Sequence, residues 1–182
     1  CHVVSKDGVD DTNSYYHLAK KLGVTTRINV VAQATASLMD TATNMRTVTD
    51  QYRMAVYTFG EKSQDPKLLE VVPLTTNLAM AKKKAATIDL MSATSKKSDE
   101  SKLTDFDNTL TELGNQMGLP GNGTSSSSPN KVVFFVSDGV GDSHKPSTCT
   151  KKSNGGRCQE PIDTRFCTAL KDKGYKIDRK SV

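Results

Sequence analysis

Two short segments carry residue types that can hold a hard cation or bring a carboxylate to a reaction. The first is K-V-V-F-F-V-S-D-G-V-G-D, Lys131 to Asp142. Val132 to Val136 form an unbroken apolar run that leads directly into Ser137, Asp138 and Gly139. Such a run, bounded by turn residues, predicts a strand buried on both faces. Ligands of open α/β sheets bind at the carboxyl ends of the strands. The run would therefore deliver Asp138 to the working edge, with Gly139 giving the backbone its sharp turn. The second segment is T-D-F-D-N-T-L, starting at Thr104, at the mouth of a predicted helix. A threonine hydroxyl and an aspartate carboxylate are both hard oxygen ligands. Magnesium takes oxygen ligands in near-octahedral order and keeps several waters, so a few protein groups suffice. Both segments also have plainer readings. Thr104 is a good N-cap, and Asp107 three residues later completes a capping box. Asp105 and Asp107 suit the positive end of a helix dipole. Asp138 would serve equally as a turn residue or as the cap of the next segment.

The elements that must position these groups follow from apolar spacing. Ser14 to Leu22 predicts a short helix stopped by Gly23. Ile28, Val31, Leu38, Ala42 and Met45 recur at helical spacing in a long helix from Thr26 to Met45. Arg53 to Phe59 and Leu68 to Leu74 read as strands, and Pro73 gives the second an edge position or an early end. Asn77 to Ile88 predicts a helix with Leu78, Ala81, Ala85 and Ile88 on one side. Residues 92–103 form a charged, serine-rich loop. Phe106, Leu110, Leu113 and Met117 make one apolar stripe on the helix after Thr104. Residues 118–130, G-L-P-G-N-G-T-S-S-S-S-P-N, read as a low-complexity loop too polar and glycine-rich to pack. After a second loop over 143–160, Pro161 suits the first position of a helix whose inner face is Ile162, Phe166, Ala169 and Leu170. Lys171 and Lys173 fit its last turn and Gly174 its end; Tyr175 to Ile177 begins one more strand. Alternating strands and helices predict an α/β fold, a mainly parallel, doubly wound, Rossmann-like sheet with helices on both faces. One element is missing from that pattern: no apolar strand feeds the helix at Thr26.

Length and composition narrow the class. The chain has 182 residues, suiting a single domain over 1–182, and its hydrophobic content of 35% implies a modest core. No apolar stretch approaches the roughly 20 residues of a membrane-spanning helix, and no signal peptide is visible. The first residue is Cys1, which reads as a fragment or processed form. The formal net charge is +5. The basic residues lie in scattered clusters, Lys82–Lys84, Lys96–Lys97 and Lys151–Lys152, without interleaved aromatics. They read as solvated surface rather than as a nucleic-acid site.

The cysteines are Cys1, Cys149, Cys158 and Cys167. Free thiols, zinc and disulfides are the alternatives. No C-x-x-C pair is present and histidine is scarce nearby, which argues against zinc. An even count beside polar loops favours disulfides and an oxidising compartment. Cys149 and Cys158 bracket the flexible T-K-K-S-N-G-G-R loop and make the first candidate pair; Cys1 and Cys167 are a possible second.

Taken together, V-V-F-F-V-S-D-G, R-M-A-V-Y-T-F-G and T-D-F-D-N-T-L resemble segments of von Willebrand factor A-type domains. They match, in turn, the strand ending in the last metal-site aspartate, the strand after the first long helix, and the loop supplying the metal-site threonine. R-I-N-V-V-A-Q-A-T-A-S-L-M-D, the P-G-N-G-T-S-S-S-S-P loop and the R-C-Q-E-P-I…F-C-T-A-L-K-D-K-G tail resemble the A-type domains of bacterial tight-adherence (Flp-type) pilus assembly proteins. The resemblance covers nearly the whole chain. It implies a metal-ion-dependent adhesion site for Mg2+ or another divalent cation, with Thr104 and Asp138 as ligands. Ser137 and Gly139 would shape the third loop, with Asp105 and Asp142 as nearby carboxylates. The first metal loop of such domains, D-x-S-x-S, has no match in residues 1–25; it is expected to lie upstream or to be lost. Without it, metal affinity of this chain is expected to be negligible.

The resemblance therefore implies a binding module of the bacterial cell envelope, in the periplasm or at the cell surface. It would recognise a pilus or envelope protein and be anchored to the inner membrane by a segment upstream. No nucleophile or general base is then required. No Ser-His-Asp grouping is evident, and F-V-S-D-G is not a G-x-S-x-G elbow. His2, His17 and His144 lie in polar segments and read as surface. The alternative is a metal-dependent hydrolase or phosphotransfer enzyme using Asp138 as nucleophile or ligand. A third reading is a structural domain in which Thr104 and Asp138 are caps.

Overall fold

The computed structural model describes residues 15–59, 68–89, 104–137, 139–143, 149–150 and 158–181. Within them the fold is mixed α/β, with five helices and three two-stranded sheets. The helices are α1 (Tyr15–Lys21), α2 (Arg27–Met45), α3 (Leu78–Ala85), α4 (Phe106–Met117) and α5 (Thr164–Asp172). The strands are β1 (Met54–Thr58), β2 (Leu69–Thr75), β3 (Val132–Ser137), β4 (Val140–Ser143), β5 (Cys158–Pro161) and β6 (Lys176–Ser181). No described helix is long and apolar enough to cross a membrane. The chain divides into two compact units. The first carries α1, α2, β1, β2 and α3; the second carries the remaining elements together with Phe59 and Leu68.

In the first unit, α2 starts where the Thr26 N–H donates to the Asn29 side chain at 3.0 Å. Its buried stripe is Ala32, Ala36, Met39 and Ala42. The larger residues expected on that face, Ile28, Val31 and Leu38, lie on its flank, and Met45 is 65% exposed. Alanines four apart let α2 approach its neighbours closely, so the small residues take the contact. The core consists of Ala36, Met39, Ala42, Val72, Leu78, Ala81 and Ala85, with Met54, Val56 and Ile88 packed against it. The Asn77 side chain caps α3 by accepting from the Met80 N–H at 3.0 Å. β1 and β2 are antiparallel, with Met54 opposite Thr75 and Thr58 opposite Leu69 and register shifts between. Pro73 sits inside β2, which is an edge strand, where its missing N–H is tolerated.

In the second unit, Phe106 and Leu110 of α4 are buried, and Leu113 and Met117 pack against the same core, as their spacing predicts. β3 and β6 are parallel, joined through α5, with Val133 opposite Ile177 and Phe135 opposite Arg179. The expected burial of β3 on both faces is not found. Val133 and Phe135 are each 6% exposed, whereas Val132, Phe134 and Val136 are 46%, 52% and 38% exposed. Phe106 and Leu110 of α4 and Leu170 of α5 share one core with Val133 and Phe135, so the helices cover one face. On the other face, Lys176 and Asp178 of β6 stand opposite Val132 and Phe134.

The sheet pairing differs from the mainly parallel expectation. Among the described strands only β3–β6 is parallel; β1–β2 and β4–β5 are antiparallel. A parallel pair needs a crossover of a dozen or more residues. Residues 59–68 between β1 and β2 fall short of that. The loop expected over 143–160 contains the end of β4 and nearly all of β5. Pro161 ends β5 opposite Val140 rather than opening a helix. α5 begins three residues later because the Asp163 carboxylate accepts from the Arg165 N–H at 2.9 Å. The 118–130 segment is also more ordered than its composition suggests. The Gly121 N–H donates to the Pro129 carbonyl and the Gly123 N–H to the Ser128 carbonyl, both at 2.7 Å.

Two outcomes test this packing. Leu110, 1% exposed, should cost about 2–5 kcal/mol when replaced by Ala, whereas Phe134→Ser should stay within about 0.5 kcal/mol in denaturant titrations. The buried Tyr175 hydroxyl donates to the Gly118 carbonyl, and burial raises its pKa above the ordinary value of 10.0. The folded state therefore holds this proton after the unfolded state has released it. Stability is complete below about pH 10 and falls as pH rises beyond it. Tyr175→Phe should cost roughly 1–2 kcal/mol at neutral pH and flatten the alkaline limb of stability against pH.

Candidate functional site

The site is built at one end of the second unit, where three rings meet beneath the loops. Phe106 lies edge-on to Phe135, with centroids 5.5 Å apart and planes at 76°. Phe59 stacks on Phe135 at 5.3 Å and meets Phe106 at 6.0 Å. Aromatic pairs prefer such edge-to-face and offset geometries, worth about 0.5–1.5 kcal/mol beyond their buried area. Phe106 is two residues after Thr104, and Phe135 is two before Ser137. Packing these rings brings the start of α4 to the carboxyl end of β3.

Thr104 is not the helix cap. The N-cap of α4 is Asp105, whose carboxylate accepts from the Asn108 N–H at 3.2 Å and from the Asn108 side-chain amide. The predicted Thr104–Asp107 capping box is replaced by a simple cap one residue later, in which the Asp105 carboxylate accepts from the Asn108 N–H. Asp105 serves as the cap of α4. Thr104 instead forms a short antiparallel bridge with Asp142. The Thr104 N–H donates to the Asp142 carbonyl at 2.6 Å, and the Asp142 N–H donates back at 2.9 Å. The Thr104 hydroxyl is thus not spent on capping.

At the end of β3, the Ser137 hydroxyl accepts from the Gly139 N–H at 3.1 Å. Gly139 has φ +90°, a conformation other residues rarely adopt, as its turn role predicts. Asp138 lies outside the described residues. β4 leaves this turn and pairs with β5, placing Val140 opposite Pro161 and Asp142 opposite Gln159. The Gln159 side-chain amide donates to the Asp142 carboxylate at 3.2 Å. A Cβ on Gly141 would lie 3.2 Å from the Phe106 ring and 3.3 Å from the Glu160 carbonyl. The bare backbone of Gly141 lets the ring lie close against β4. Gln159 and Gly141 were not singled out by sequence reasoning. The G-V-G-D spacing was the available signal, since a second glycine two residues after a turn suggests close approach.

The Cys149–Cys158 disulfide forms as expected, with Cα atoms 5.7 Å apart. Closing a loop of about ten residues contributes roughly 3 kcal/mol in the chain-entropy account. The second suggested pair is not made: Cys167 is a free thiol, and Cys1 lies outside the described residues. Cys149, Cys158 and Glu160 place one ligand atom each within 4.8 Å of one another. Both sulfurs are joined in the disulfide, however, and a thiolate rather than a disulfide sulfur ligates metal. Glu160 accepts from the Thr150 hydroxyl at 2.7 Å and from its N–H. This cluster is structural.

Separating the roles of Thr104 and Asp105 is a direct test. Asp105→Ala should destabilise the protein by about 1 kcal/mol through the lost cap, while Thr104→Val should change stability by under about 0.5 kcal/mol. Thermal or denaturant unfolding of the two variants checks both values. Comparison with protein-family models, curated proteins and solved structures finds no match to this chain.

Proposed function

We propose that the chain is a non-enzymatic protein-binding module of a bacterial cell envelope, similar to the A-type domains of tight-adherence pilus assembly proteins. Its site would centre on the Thr104 hydroxyl and the Asp138 carboxylate. The observation that carries this reading is the two-way bridge between Thr104 and Asp142, with the helix cap supplied by Asp105 instead. It leaves a hard oxygen donor of the α4 loop beside the segment that follows Asp138. The donor set, hydroxyl and carboxylate, suits Mg2+. A bound divalent ion would supply an open coordination position for a partner's carboxylate. Ser137 and Gly139 would hold the turn, and Asp142 would add negative charge.

The parallel β3–β6 pair, whose crossover runs through the β4–β5 hairpin and α5, supports the finer reading of a doubly wound sheet, since a crossover carrying a helix is its repeating unit. The Cys149–Cys158 disulfide supports an oxidising location such as the periplasm or cell surface.

Magnesium titration followed through the Thr104 and Asp142 amide resonances tests the site. Residues 1–25 contain no D-x-S-x-S, so the chain as it stands should bind Mg2+ more weakly than about 1 mM. Supplying an apolar strand ending in D-x-S-x-S at the N terminus should tighten binding at least tenfold. Thr104→Val or Asp138→Asn should then abolish the gain. Indifference of the supplied chain to Mg2+, or unchanged affinity in both variants, refutes the site. Magnesium-dependent release of product from generic phosphate esters would favour the hydrolase instead.

A further inference from the structure

The β4–β5 hairpin has an unusual connection. Ser143 ends β4 and Cys158 begins β5, opposite one another in the ladder, with residues 144–157 between them. Two-stranded hairpins of four residues a side are marginal on their own. Hairpin connections are normally two to five residues, and longer ones cost closure entropy. The Cys149–Cys158 bond changes this count. It ties the first residue of β5 to a position only six residues beyond the end of β4. Covalently, the connection shortens to the six residues 144–149. The Thr150–Glu160 hydrogen bonds continue the tie along β5.

What depends on this hairpin is the Thr104 pairing. β4 is held by β5 on one side and by the Thr104 bridge on the other. β5 also positions Gln159 against the Asp142 carboxylate. By contrast, β3–β6 has six paired positions and its own buried aromatic core. The two parts differ in how much they need the cross-link.

We propose that the Cys149–Cys158 disulfide is a redox latch that holds the Thr104–Asp142 pairing in place, closed when oxidised and open when reduced. A dithiol reductant supplies two electrons and two protons. The S–S bond breaks, Cys149 and Cys158 become thiols, and the reductant closes to its own disulfide. The β4–β5 hairpin then reverts to a 14-residue connection, residues 144–157, and the Thr104 bridge opens with it. The consequence for ligand binding rests on the proposed function of Thr104; the opening itself does not.

Amide hydrogen exchange of the whole chain, oxidised and after treatment with dithiothreitol, tests the latch. Exchange at Thr104 and Asp142, whose N–H groups form the bridge, should rise by ten- to about a hundredfold on reduction. Exchange at Val133 and Phe135, in the β3–β6 pair, should change less than twofold. A Cys149→Ser/Cys158→Ser variant should show the same pattern without reductant. Unchanged exchange at Thr104 and Asp142 overturns the latch. Equal acceleration at Val133 and Phe135 also overturns it, because the disulfide would then support the whole unit. Magnesium titration of the oxidised chain carrying D-x-S-x-S stands apart from this readout: its failure removes the metal site and leaves the exchange result to decide the latch.

Discussion

The contact between the Phe106 and Phe135 rings is the constraint on which the candidate site depends. Neither ring lies in the site, yet each is two residues from a backbone that enters it. An aromatic side chain buries a large apolar area, and it can do so here only if α4 meets β3 at this level. Gly141 is the matching concession on the β4 side, because a side chain there would push against Phe106. The positions of Thr104 and of the β3 turn are therefore fixed by hydrophobic burial beneath them. Polar attraction between the two loops is not needed to bring them together. The polar groups add local bonds at the Asp105 cap and the Ser137 turn, and the Thr104 bridge ties the α4 loop to β4.

Much of this was legible in the sequence, for identifiable reasons. The Phe106–Leu110–Leu113–Met117 stripe has strict helical spacing, and α4 follows it. Gly139 announced a turn and takes a positive φ. The Cys149–Cys158 pair was readable because the two cysteines bracket a short polar stretch with two adjacent glycines. The errors have physical causes too. An unbroken apolar run does not say how many faces are covered, and β3 has only one face packed. At Thr104 two adjacent residues could cap the helix, and the carboxylate took the position over the hydroxyl. In α2 Ile28, Val31 and Leu38 carry the helical spacing, but the tight interface selects the alanines and Met39. The β4–β5 hairpin was hidden because its strands are short and polar and show no pattern of apolar residues.

The two faces of the β3–β6 pair carry different chemistry. On the packed face Val133 stands beside Ile177 and Phe135 beside Arg179. The other sets Val132 and Phe134 beside Lys176 and Asp178. Alternating charge along β6 keeps that face from becoming a continuous apolar surface, a common protection of sheet edges. The parallel β3–β6 pair is connected through β4, β5 and α5. α5 in turn relies on Asp163, which fixes where the helix starts and keeps Leu170 directed at the core.

The 118–130 segment closes upon itself, and its two ends are pinned separately. The Tyr175 hydroxyl holds the Gly118 carbonyl, and the Lys131 ammonium holds the Met117 carbonyl. Entry and exit therefore sit side by side, fastened to the last turn of α4, whatever lies between them. Residues added or removed at the tip around Ser125–Ser127 would be absorbed inside this bracket. The distance from α4 to β3 would not register the change, which makes this stretch a natural place for length variation or for a genetically inserted label.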